Sequence, residues 1–235
     1  MKALAFSCSP RNDKGATRLV LKAFLEGLAD GGAQVEVLFP YRMNIAPCRG
    51  CFHCWTKGKG KCAIDDDMKV VLAGLQEADM VVFATPVYHF TMSEGMKRLI
   101  ERTMPLLDQH VTLDNNNRAR HARLGRHDQR AFLLSVCGFP ELEVFDSLRV
   151  AFGRICGMLD WRLSGEVLRT MSGLLLTKEC REAAAGYLKL VRDAGKKAAS
   201  SSGIDNFRSY LEEPLVPPEQ YYRLVNEFWD RKKDR

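Results

Sequence analysis

The sequence predicts an α/β fold: a doubly wound, five-stranded parallel sheet with helices on both faces, followed by a C-terminal extension. Two observations predict it. Short apolar runs alternate with helical patterns along the chain, as crossover-linked parallel strands require. The runs at 3–6, 80–84 and 131–136 are also apolar almost throughout rather than at every second residue, as strands covered on both faces are.

Residues 3–6 form the first strand, and 18–28 repeat apolar side chains at helical spacing (Leu19, Val20, Ala23, Phe24, Leu28). Gly31 and Gly32 close that helix. Residues 34–39 alternate, with β-branched side chains, as a second strand. Residues 40–61 read as a long irregular stretch with a cysteine cluster. Asp65, Asp66 and Asp67 precede a helical pattern ending at Leu75. They read most simply as a helix cap and dipole partner, with a metal role as the alternative. The third strand, 80–84, is followed by a loop at 85–90. Ser93 is expected to cap a helix over 94–104 that stops near Pro105. Residues 106–130, rich in Asn, Arg and His, read as irregular. A fourth strand (131–136), its loop (137–140), a long helix (141–158), a fifth strand (161–169) and a helix (178–199) complete one domain over 1–199, with a cysteine-rich loop, 40–64, inserted in it. The extension, 200–235, starts with a serine-rich break at 200–203. It carries a helix that opens at Pro217 and Pro218, and packs on the domain or on a dimer partner.

A chain of 235 residues, 46% of them hydrophobic, can bury a large core. The charge of +6 is modest and concentrated in one segment and at the C-terminus, which argues against coating of nucleic acid. The N-terminus turns polar at once and does not read as a signal peptide. The run 80–84 is too short to span a bilayer. The expectation is a soluble, cytoplasmic protein whose eight cysteines are ligands or free thiols rather than disulfides.

Between the first strand and helix lies Ser7-Cys8-Ser9-Pro10-Arg11-Asn12-Asp13-Lys14-Gly15-Ala16-Thr17. Free N–H groups and the dipole of a helix N-terminus make such a loop a phosphate site. It has neither the G-x-G-x-x-G pattern nor a Walker loop. Its hydroxyls, amide and arginine suit a terminal phosphomonoester of the kind FMN carries. The alternative is an ordinary turn capped by Thr17. On a doubly wound sheet the loops at 7–15, 85–90 and 137–140 converge at the strands' carboxyl ends.

Cys48, Cys51, Cys54 and Cys62 place four thiols within fifteen residues. That spacing suits a ferredoxin-type cluster, four-coordinate zinc, or free thiols. Cys8, Cys137, Cys156 and Cys180 read as isolated core or loop thiols.

Ser9-Pro10-Arg11 with Gly15 and Thr17, Pro86-Val87-Tyr88, Cys137-Gly138-Phe139-Pro140-Glu141, and the cysteine motif running to Asp66-Asp67-Met68 resemble the NADPH-dependent FMN reductase and iron-sulfur flavoprotein family of the flavodoxin-like superfamily. The resemblance spans about residues 1–165. It departs from the family at Cys8, where Gly is frequent, and at Ala16, where Asn is. It implies a flavodoxin-like sheet and non-covalent FMN, with Ser7, Ser9, Arg11 and Thr17, beside Pro10 and Asn12, at the phosphate. It further implies Pro86, Val87, Tyr88 and His89 along the isoalloxazine, with backbone N–H groups toward N5 and O4. Cys137 and Gly138 would meet the other edge. No side chain acts as acid or base, since the flavin carries the hydride chemistry.

The implied function is an FMN-dependent NAD(P)H oxidoreductase reducing a quinone, flavin or other small acceptor, as a homodimer or tetramer. The alternatives are an electron carrier that links a 4Fe-4S cluster to FMN and is fed by ferredoxin, or a thiol-based redox sensor.

Arg118, Arg120, His121, Arg123, Arg126, His127 and Arg130 read as a solvated loop face, or as a contact for the NADPH 2′-phosphate or an acidic redox partner. The tail aromatics Phe207, Tyr210, Tyr221, Tyr222, Phe228 and Trp229 are expected to be buried within the subunit or across a dimer, and residues 230–235 to fray.

Overall fold

The computed structural model describes residues 1–114, 117–200 and 203–233. The expected break at 200–203, the fraying at 230–235 and the side chain of Tyr210 fall partly or wholly outside them. The elements in order are β1 (Lys2–Ser7), α1 (Ala16–Asp30), β2 (Gln34–Leu38), α2 (Met68–Glu77), β3 (Met80–Pro86), α3 (Glu94–Glu101), β4 (Leu107–Leu113), β5 (Ala119–Arg123), β6 (Gln129–Val136), α4 (Asp146–Met158), β7 (Trp161–Arg169), α5 (Arg181–Ser200), α6 (Arg208–Glu212) and α7 (Pro218–Lys233).

Five strands form one parallel sheet in the order β2-β1-β3-β6-β7. Numbered within the sheet alone this is the flavodoxin-like 2-1-3-4-5 arrangement, with ligand sites at the carboxyl ends beside the point where strand order reverses. Strand side chains alternate between two buried layers. Ala3, Ala5, Val82, Phe132 and Leu134 pack under α1 and α5. Leu4, Phe6, Val81, Phe83 and Leu133 pack under α2, α3 and α4. Phe6 stacks on Phe83 at 4.7 Å between ring centroids, so the second layer is aromatic at its centre. No helix among the described residues is long and apolar enough to cross a membrane.

The first layer depends on a close approach of α1 and α5. A Cβ on Gly27 would stand 1.9 Å from the carbonyl oxygen of Arg192, and one on Gly195 would stand 2.1 Å from that of Phe24. Backbone meets backbone here, so neither contact can relax by rotating a side chain.

The chain departs from expectation in four places. Residues 106–130 are not irregular: β4 and β5 pair as an antiparallel hairpin outside the main sheet. Its polar, histidine- and arginine-rich strands hide the alternation that marks a half-buried strand. The helix expected over 94–104 ends at Glu101, with Arg102 closing it. The helix expected over 141–158 starts as a 3-10 turn, Leu142–Phe145, before α4. In the tail, Tyr221 is buried with Met171, Leu174 and Cys180 of the same chain, while Tyr222, Phe228 and Trp229 are exposed, contrary to the expectation of burial within the subunit.

Gly195→Ala should overpack the α1–α5 contact and cost about 1–3 kcal/mol, measured as a lower urea midpoint with an unchanged denaturant slope.

Candidate functional site

β1, β3 and β6 lie side by side, so the loops after them leave the same sheet edge. In the first loop Ser7, Ser9 and Thr17 are buried. The loop is folded by the Asn12 N–H on the Ser9 carbonyl (2.9 Å), the Lys14 N–H on the Arg11 carbonyl (3.0 Å) and the Arg11 N–H on Ser9 Oγ (3.3 Å). Asn12 takes a left-handed conformation, φ 50°, which Asn tolerates better than most residues. α1 opens with Gly15 at its cap position and no side-chain cap. Thr17 therefore does not cap the helix, contrary to the ordinary-turn alternative. The Arg18 and Leu19 N–H groups both turn to the Gly15 carbonyl (3.2 and 3.3 Å), so the first-turn amides with no carbonyl a turn behind them are those of Ala16 and Thr17. Ser7 Oγ, Asn12 Oδ1 and Arg18 Nη1 are buried without a hydrogen-bond partner among the described residues. A buried hydroxyl at the foot of an uncapped helix is the chemistry a bound phosphate satisfies.

The second loop is tied to the first. Ser93 Oγ donates to the Cys8 carbonyl at 2.5 Å and accepts the Met96 N–H at the start of α3. The Ser93 N–H in turn bonds Thr85 Oγ1 at 3.0 Å. Pro86 ends β3, while Tyr88 and Thr91 exchange two backbone hydrogen bonds (3.0 and 3.1 Å) around His89 and Phe90, whose φ values are 47° and 62°. The Val87 N–H bonds the Val136 carbonyl at 2.9 Å and that of Tyr88 bonds Thr91. The amides of Val87 and Tyr88 are therefore committed within the fold, which leaves the expected donors among the other backbone N–H groups of the loop. The N–H groups of His89 and Phe90 remain at the tip of the turn.

The third loop is held from below and above. The Cys137 N–H bonds the Arg169 carbonyl, and the Ser172 N–H bonds the Cys137 carbonyl, both at 2.9 Å. The Tyr221 hydroxyl, from α7, donates to the Gly138 carbonyl. Burial pushes the Cys137 thiol up to about 11, so it is not a ready nucleophile. Tyr88, Phe90 and Phe139 are large aromatics exposed around this edge.

Cys48, Cys51, Cys54 and Cys62 line one cavity of about 370 Å³, with Glu101, Arg102, Met104 and Pro105 opposite. Burial raises the Cys54 thiol's pKa, and the nearby thiols of Cys62, Cys48 and Cys51 raise it further. Among the described residues no three His, Cys, Asp or Glu groups are gathered tightly enough for a single ion. A tetrahedral zinc with bonds of about 2.3 Å would need these thiolates drawn together. Four thiols lining one cavity match in number the ligand set of a multi-iron core.

Behind the cavity, Arg102 and Asp66 are paired through Nη1 at 2.8 Å and Nη2 at 2.9 Å and are almost fully buried. Asp66 also accepts the N–H groups of Ala46 (2.9 Å) and Met68 (3.1 Å). The acidic triplet is thus more than a helix cap: Asp66 anchors the cysteine segment, Asp67 accepts the Asn44 N–H, and Asp65 pairs with Lys69. The basic segment is a solvated face only in part: Arg118, Arg126 and His127 are exposed, but other members are drawn into the fold. Arg123 is buried on the Leu106 carbonyl and Gln129, Arg126 pairs with Asp79, and Arg120 lies 3.5 Å from Asp160.

The profile of NADPH-dependent FMN reductases matches residues 1–159. The chain belongs to that family. Its likeness to an iron-sulfur flavoprotein of Methanocaldococcus jannaschii is 36% identity over 106 residues, 45% of this chain and 53% of that protein. An iron-sulfur flavoprotein of Methanosarcina thermophila is 30% identical over 115 residues, 49% of this chain and 59% of its own. The chain thus spans about half the length of these curated relatives. An FMN-dependent NADH-azoreductase from Bacillus anthracis, in complex with FMN, shares the fold at a TM-score of 0.62 and 16% identity, covering 84% of this chain and 99% of that one. An NAD(P)H:quinone oxidoreductase from Methanothermobacter marburgensis does so at 0.63 and 18%, covering 84% and 98%.

In this FMN reductase family member, sequence reasoning missed Thr85, Ser93 and Arg102 as parts of the site region. Ser93 was legible as a cap, but its bond to Cys8 crosses 85 positions. Nothing local marks Arg102 as the partner of Asp66.

Burial would raise the Asp66 carboxyl's pKa, but the Arg102 guanidinium and the Ala46 and Met68 N–H groups outweigh it and hold it below the usual range. The resulting stabilisation is present above the unfolded value of about 3.9 and is lost as pH falls through the lower folded one. Asp66→Ala, which strands a buried guanidinium, should cost about 3–5 kcal/mol at neutral pH. Chemical unfolding followed into acid should show the variant and native curves converging.

Proposed function

We propose that the chain is an FMN-dependent oxidoreductase that takes hydride from NAD(P)H and delivers it to a quinone, a free flavin or another small acceptor. The observation that carries this reading is the partnerless, buried Ser7 hydroxyl beside the uncapped N-terminus of α1. Family membership supports it.

Ser7, Ser9 and Thr17 hold the phosphate together with the first-turn amides of α1. Arg11 supplies charge from the rim, and Pro10 and Asn12 shape the turn. Pro86, Val87, Tyr88 and His89 line one side of the ring, and the His89 and Phe90 amides are the donors nearest to hand for its polar edge. Cys137 and Gly138 meet the other side, positioned by Tyr221. Bound FMN supplies the hydride chemistry, accepting two electrons from the nicotinamide and returning them to the acceptor. The chain's part is orientation and exclusion of water. Exposed Phe90 and Phe139 offer apolar faces against which a planar acceptor stacks.

A second reading, an electron carrier with a 4Fe-4S cluster beside the flavin and ferredoxin as its source, is favoured by the position of the cysteine cavity. α3 is capped at its start by Ser93, which bonds the first loop, and closed at its end by Arg102, which lines the cavity. Its eight residues span about 12 Å, a short path between two redox groups. Anaerobic preparation with assays of flavin, iron and sulfide separates the readings: flavin alone supports the first, and flavin with iron and sulfide supports the second.

Arg11→Ala and Ser9→Ala should each weaken FMN binding about tenfold, roughly 1.4 kcal/mol, read by quenching of FMN fluorescence. NAD(P)H oxidation should fall in step with occupancy. Unchanged occupancy in both variants rejects the proposed phosphate site.

A further inference from the structure

Arg102 is 2% exposed, and its hydrogen bonds are unevenly used. Nη1 donates to the Ala46 carbonyl (2.6 Å) and to Asp66, and Nη2 donates to the other Asp66 oxygen. The Nε–H, by contrast, is buried and has no partner among the described residues. The same residue lines the cavity of the four cysteines. One of them, Cys62, already accepts the Ile64 N–H at 3.5 Å. A guanidinium that served only to clamp Asp66 would have no reason to keep its third edge buried and unpaired in the wall of a thiol-lined cavity. Buried donors that lack a partner are uncommon and ask for one.

We propose that Arg102 is a positioning residue for the cysteine cavity: its spare Nε–H bonds the Cys62 sulfur once that sulfur is a metal-bound thiolate, and so raises the reduction potential of the bound cluster. The inference rests on the second reading above, in which the cavity holds a 4Fe-4S centre. Hydrogen bonds to ligand sulfur remove electron density from it, favour the reduced and more negative state, and are among the means by which a protein sets a cluster's potential. Asp66 has its own part, because by engaging the Nη atoms it fixes the plane of the fork and with it the direction of Nε. No bond is made or broken; the bond to sulfur strengthens as the centre gains an electron.

The test uses the full chain, reconstituted anaerobically with ferrous iron and sulfide. Iron, sulfide and FMN per chain are counted, and the midpoint potential is read by a mediated titration followed by electron paramagnetic resonance. Arg102→Lys keeps the positive charge and can still face Asp66, but it cannot present two edges at once. Asp66→Asn with Arg102→Gln removes both charges together, so that neither is stranded. Both variants should retain FMN and iron, with the reduction equilibrium at least tenfold less favourable, a fall of about 59 mV for one electron. Equal potentials in the native chain and both variants, with clusters intact, would overturn the inference and leave the cluster reading standing. A native chain that binds FMN but takes up no iron or sulfide would overturn the cluster reading itself, and the inference with it.

Discussion

The hydrogen bond from the Ser93 hydroxyl to the Cys8 carbonyl is the contact on which the candidate site depends. Through it, the loop after β1 is fastened to the N-cap residue of α3. The Ser93 N–H on Thr85 fastens the same point to the end of β3. All of these groups are buried, so each bond is made in low dielectric, and its loss would leave unsatisfied donors and acceptors. The parallel sheet places the first two loops side by side, and this cluster sets their spacing.

α3 carries that constraint to a second region. Its N-terminus meets the loop after β1, and Arg98 and Arg102, toward its other end, bond the carbonyls of Ile45 and Ala46, which lead into the cysteine segment. The Arg102–Asp66 pair closes the segment from its far side. A buried ion pair is a weak source of net stability but a demanding one in geometry. It suits a place where an irregular, thiol-bearing loop must be held in one shape without a sheet or helix of its own.

Much of this was legible in the sequence. The three inner strands, β1, β3 and β6, carry apolar runs that only a twice-covered strand tolerates, and the loops after them carry the residues that a doubly wound sheet gathers at one edge. The hairpin formed by β4 and β5 was not legible, because its strands are polar and its stability comes from local pairing and from buried Arg123 rather than from an apolar face. The short reach of α3 was hidden for a related reason: Arg102 reads as a helix residue until Asp66, 36 positions earlier, is seen to claim it.

Sequence alone determined the layer architecture, the phosphate-type loop and the cysteine spacing, because each is written in residues close together along the chain. Only the tertiary structure decided which donors remain available to a ligand. It committed the Val87 and Tyr88 amides to other backbone groups, left Ser7 Oγ and Arg102 Nε without partners among the described residues, and brought Tyr221 onto Gly138. Hydrogen-bond capacity is spent between residues tens of positions apart, and what is left over appears once the chain has closed on itself.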